Sequence, residues 1–116
     1  MRYILLSADS EPTLYEAPDF IAEHLPDYAD AFLDSIHDSA SPFWKTVQDP
    51  SGASYALLSY NEKDFVAWLN QQDEAKDQPV REPKWLSMEA REIIMETARK
   101  ERFLPYEQMQ YPWFNF

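Results

Sequence analysis

One glycine, Gly52, serves the whole chain of 116 residues. Glycine is the residue that takes positive φ without steric penalty. A chain with one glycine has few places for tight left-handed turns or for close backbone approach to a ligand. The glycine-rich phosphate loops of Rossmann and Walker type need several glycines at fixed spacing and are excluded outright. Breaks in the chain must come from Pro, Asn, Asp and Ser, and the sequence carries 9 prolines.

These breaks divide the chain into a readable order of elements. Residues 2–7 hold the apolar run Tyr3-Ile4-Leu5-Leu6 and predict a buried strand, followed by a loop to Ala17. Pro18-Asp19 and Pro26-Asp27 each resemble a helix start, which predicts a short helix near 18–24 and a longer one over 26–38. On the longer helix Leu25, Ala29, Phe32, Leu33 and Ile36 recur at helical spacing. Residues 39–53 read as a loop in which Phe43 and Trp44 plug a gap in the core. Residues 54–60 predict a second strand. Asn61 then caps a helix over 61–76, with Asp64 three residues on. A polar connector over 73–84 follows. Ser87 caps a final helix near 88–103, with Ala90, Ile93, Ile94, Thr97 and Leu104 as its buried stripe. The expected fold is one α+β domain over 1–116: a small sheet of two to four strands packed by three or four helices, with residues 106–116 as an aromatic tail.

A hydrophobic fraction of 45%, with 7 Phe, 7 Tyr and 4 Trp, is enough for a packed core. The chain has no cysteine, so neither disulfides nor thiolate metal sites arise. The first apolar run is too short for a signal peptide, and no stretch approaches the roughly 20 apolar residues of a membrane helix. The expectation is a cytoplasmic protein with no membrane partner.

Charge is the feature closest to function. The chain has 21 acidic and 10 basic residues, a formal net charge of -11. Residues 1–80 hold 15 acids and 4 bases, whereas residues 81–116 hold 6 of each. Such a field repels nucleic acid and anionic lipid and attracts basic surfaces. Within the acidic part, Asp27, Asp30, Asp34 and Asp38 are spaced 3, 4 and 4. On a helix they fall within about 80° of arc, opposite the Leu25/Ala29/Phe32/Ile36 face, and span about 16 Å. No Lys or Arg lies between residues 3 and 44 to relieve them. Asp9, Glu11, Glu16, Asp19 and Glu23 are the neighbours that would extend the stripe. The competing reading is a solvated face whose charge serves solubility alone.

Other constellations carry less. His24 and His37 sit among carboxylates but 13 residues apart, with no HExxH pattern. Neither the DxD spacing nor the calcium-loop pattern occurs, and the GxSxG and SxxK nucleophile signatures are missing. Arg91, Arg99, Lys100 and Arg102 interleave with Glu89, Glu92, Glu96 and Glu101 as a salt-bridged helix surface. Catalytic residues, metal and cofactor are therefore all expected to be absent. The tail residues Tyr111, Trp113, Phe114 and Phe116 either pack back on the domain or form an interface, a homodimer included.

The expectation is a small binding protein whose acidic face, Asp27, Asp30, Asp34 and Asp38 with Asp19 and Glu23, covers a basic surface of a partner protein. The partner class is a nuclease, toxin or nucleic-acid-binding complex, with no direct contact to nucleic acid. Immunity proteins, antitoxins and phage-encoded inhibitors of defence nucleases work this way. The alternative is an adaptor domain that binds a partner, or itself, through the aromatic tail. A small hydrolase or metal enzyme built around His24 or His37 is the third reading.

Overall fold

A computed structural model describes residues 1–8 and 11–116. Its backbone forms β1 (Arg2–Ser7), β2 (Thr13–Ala17), α1 (Asp19–Glu23), α2 (Leu25–Ile36), β3 (Trp44–Gln48), β4 (Ser54–Leu58), α3 (Glu62–Leu69), α4 (Met88–Glu101) and β5 (Trp113–Asn115). Short 3-10 turns at Asp73–Ala75 and Tyr106–Gln108 link the later elements. The fold is α+β.

β1 is the centre of a three-stranded sheet in the order β2-β1-β5. It pairs antiparallel with β2, placing Ile4 opposite Tyr15, and parallel with β5, placing Leu6 opposite Phe114. Side chains alternate across a strand, so β1 feeds two different layers. Ile4 and Leu6, with Tyr15 and Ala17 of β2, face a large core containing Ile21, Leu25, Ala29, Phe32, Phe65 and Leu69 from the helices α1–α3. Leu5 and Leu14 face the other way and meet Ile94 and Ala98 of α4. The sheet is thus covered on both faces.

Phe32, 1% exposed, is the hub of the larger core. Its ring lies 5.5–6.3 Å from those of Phe43, Tyr60, Phe65, Trp68 and Phe116. Aromatic pairs in such edge and tilted arrangements add roughly 0.5–1.5 kcal/mol each beyond area burial.

Four expectations need correction. The loop expected before Ala17 contains β2. It was illegible because both its faces are buried, including Glu16 at 8% exposure. The loop expected over 39–53 contains β3, which pairs with β4 as a two-stranded ribbon of its own. Phe43 packs on the core as expected. Trp44 instead lies against His37 and donates its indole N–H to the Asp38 carbonyl at 2.9 Å. α3 stops at Leu69, short of residue 76. There the Asn70 side chain leaves the helix to hold the Val80 backbone from both sides, at 2.8 and 2.9 Å. Finally, the buried stripe of α4 is Ile94 and Ala98, while Ile93 is 60% exposed and Leu104 42%. The helix is rotated so that Ile94 sits over Leu5 and Leu14.

Candidate acidic interface

α2 begins with Pro in its first turn and Asp27 beside it, near the positive end of the helix. Leu25, Ala29, Phe32 and Ile36 are buried against the core. That burial fixes the rotation of the helix and leaves the opposite face outward. Asp27, Asp30 and Asp34 all stand exposed on that face. The helix ends at Ile36, so Asp38 lies in the following turn and not on the helix. Its carboxylate accepts the Ala40 N–H at 2.9 Å, and its carbonyl accepts the Trp44 indole N–H. The turn thereby holds Asp38 as an exposed continuation of the row.

The surroundings of these carboxylates are poor in positive charge. Asp27 lies 3.7 Å from the His24 ring, and Asp19 of α1 lies 3.0 Å from the Met1 amino group. Among the described residues, no Lys or Arg forms an ion pair with Asp19, Glu23, Asp27, Asp30, Asp34 or Asp38. Glu23 is exposed beside a small cleft that it shares with Arg2, Tyr106 and Glu107. Tyr106 closes this region by donating its hydroxyl to the Ala22 carbonyl, and burial raises its pKa.

The expected extensions of the row fall elsewhere. Glu11 is drawn to Arg99 of α4 at 3.7 Å. Glu16 is buried in β2 and meets Arg81 at 3.5 Å. Asp9 lies outside the described residues. Of the C-terminal cations, Arg81, Arg99 and Lys100 pair with Glu16, Glu11 and Glu96, and among the described residues none pairs with the α2 carboxylates.

The two histidines are apart in role and place. His24 ends α1 and precedes α2. His37 ends α2, its Nδ1 2.6 Å from the Leu33 carbonyl. Among the described residues, no group of three or more His, Asp or Glu is placed to hold a metal ion.

The aromatic tail packs within the domain. Phe114 and Phe116 join the larger core, and Tyr111 and Trp113 pack on the smaller one. The Trp113 indole N–H donates to the Ser7 hydroxyl at 3.0 Å. All four rings are half-buried, and β5 is an outer strand of its sheet.

The sequence missed a second charged surface. Between α3 and the 81–85 segment lies an open groove of about 750 Å³, lined among others by Tyr15, Lys63, Arg81, Lys84 and Trp85. Its only sequence signal was a local rise in basic residues after position 80, spread too thinly to read. No helix among the described residues is long and apolar enough to cross a membrane.

Comparison with family models, curated proteins and solved structures finds no match to this chain.

Proposed function

We propose that the outward face of α2 docks on a basic, nucleic-acid-binding surface of a partner protein in the cytoplasm and occludes it. The protein acts as an inhibitor and not as an enzyme, as an immunity protein, an antitoxin or a phage-encoded inhibitor of a defence nuclease would. The observation that carries this reading is the exposed row Asp27, Asp30, Asp34 and Asp38 with no Lys or Arg ion pair among the described residues. A face that served solubility alone would mix signs. Like charges at this spacing each cost a helix a few tenths of a kcal/mol. Carboxylates recurring about every 5.5 Å along the helix suit a groove lined by Lys and Arg, although they do not copy the roughly 3.4 Å axial phosphate spacing of DNA.

The test is capture from host extract by the wild type and by the Asp27/Asp30/Asp34/Asp38→Asn variant, at low and high salt. The expected result is a basic nucleic-acid-binding protein held by the wild type, released by salt or competing DNA, and absent with the variant. Steered association is accelerated by roughly 10 to 1,000-fold and fades as salt rises. Capture of the same proteins by both forms at every salt concentration would overturn the proposal.

A further inference from the structure

The groove beside α3 has the parts of a small-molecule site, and none of them belongs to the acidic row. Tyr15 forms part of it and is 4% exposed; among the described residues no buried side-chain polar atom lacks a partner, so its hydroxyl, which has none, opens to the groove. A hydroxyl at the groove wall is free to donate a hydrogen bond to a ligand. Burial, reinforced by Glu82 and Glu62, pushes its pKa to about 12, so at neutral pH it is a proton donor.

Three cations line the same groove. Lys63 and Lys84 form no ion pair among the described residues, in a chain with twice as many acids as bases. Arg81 meets Glu16 only at 3.5 Å and lies 4.8 Å from the centre of the Trp85 ring. Trp85 is 55% exposed, a large planar surface left in water. Glu82 is the one acidic residue lining the groove.

The wall is rigid. Arg81 exchanges backbone hydrogen bonds with Glu16 of β2 at 2.7 and 3.1 Å. Pro83 is buried, and its carbonyl accepts the Arg91 guanidinium. The net charge of -11 does not forbid an anion here. At physiological salt, charges more than about 8 Å away are screened, so the balance of Lys63, Arg81 and Lys84 against Glu82 and Glu62 decides.

We propose that this groove binds a phosphate carried on a planar ring, the chemistry of a nucleoside monophosphate. The phosphate sits among Lys63, Lys84 and the Tyr15 hydroxyl, and the ring stacks on the open part of Trp85. A volume of about 750 Å³ accommodates such a ligand. Charge-assisted hydrogen bonds fix the phosphate and stacking fixes the ring.

The experiment titrates the full chain with AMP, adenosine and inorganic phosphate, following the indole and backbone amide N–H resonances by NMR. AMP is expected to shift the Trp85 signal at millimolar concentration and to bind about tenfold more tightly than phosphate or adenosine alone, which is about 1.4 kcal/mol. Lys63→Gln/Lys84→Gln is expected to weaken AMP and phosphate together, while Trp85→Leu weakens AMP and leaves phosphate unchanged. Both changes are on exposed side chains, and an unaltered amide spectrum verifies the fold. An unmoved Trp85 signal with all three probes would overturn the site. Phosphate binding as tightly as AMP would overturn the role given to the ring.

Discussion

The ring of Phe116 meets that of Phe65 at 5.0 Å, edge against face, while the Phe116 N–H donates to the Ser7 carbonyl at 2.8 Å. The tail is thus joined to β1 by backbone and to α3 by side chain. Full burial of a phenylalanine is worth roughly 3–5 kcal/mol on truncation to Ala, and Phe116 is half-buried. Phe116→Ala is expected to lower stability by about 1–3 kcal/mol in a denaturant titration. A change within error would show that the contact contributes nothing.

The acidic row and the stability of α2 pull in opposite directions. Asp34 occupies the last turn of the helix, which contains no basic residue and carries the negative end of the macrodipole. Asp34→Asn is therefore expected to raise stability by about 0.3–1 kcal/mol at low salt, and less at high salt. Asp27→Asn, at the favourable end, is expected to lower it by a similar amount. Thermal unfolding at two salt concentrations reads both signs. If both substitutions moved stability the same way, the dipole argument would fail.

Asn61 and Asp64 form a reciprocal cap, each side chain accepting the backbone N–H of the other, at 3.1 and 2.9 Å. Asn61→Ala is expected to cost about 1 kcal/mol, with fraying at Lys63 and Asp64 visible in amide exchange.

This cap was readable from sequence because it is local: strand, Asn, acid three residues on, apolar face. Asp27, Asp30 and Asp34 were readable for the same reason, a spacing on one helix, whereas Asp38 falls in the turn beyond its end. What escaped was set by partners distant in sequence. β2 lacks polar alternation because Leu14 is covered by α4 and Tyr15 by the main core. Glu16 is tolerated there because Arg81 arrives from 65 residues away. The groove is invisible for the same reason, since Tyr15, Lys63 and Lys84 come from three separate segments.

Gly52 has φ of +88° in the five-residue turn between β3 and β4, and a Cβ there would meet no atom within 4 Å. Gly52→Ala is then a test of backbone strain alone, expected to cost roughly 1–2 kcal/mol. The Asp49 carboxylate, which accepts N–H groups from Ser51 and Ala53, should stay in place. A stability change near zero would mean that the turn relaxes out of the left-handed region.

Tyr15 supplies a pH signature. Its hydroxyl ionises at about 12 in the folded protein against 10.0 for a free tyrosine. The raised value means that the folded state holds this proton more tightly than the unfolded state. Its contribution to stability is complete below pH 10 and is lost as pH climbs towards 12. Tyr15→Phe is expected to flatten that part of the curve. An unchanged alkaline limb would assign the loss to other tyrosines.

β1 lies between its two partners, and the register ties Leu5, Leu6 and Ser7 to residues 113–115. During synthesis one flank of β1 must wait, uncovered, until more than a hundred further residues have left the ribosome. Closing so long a loop is slow. In the interval an apolar strand edge is open to any other extended chain that comes near it.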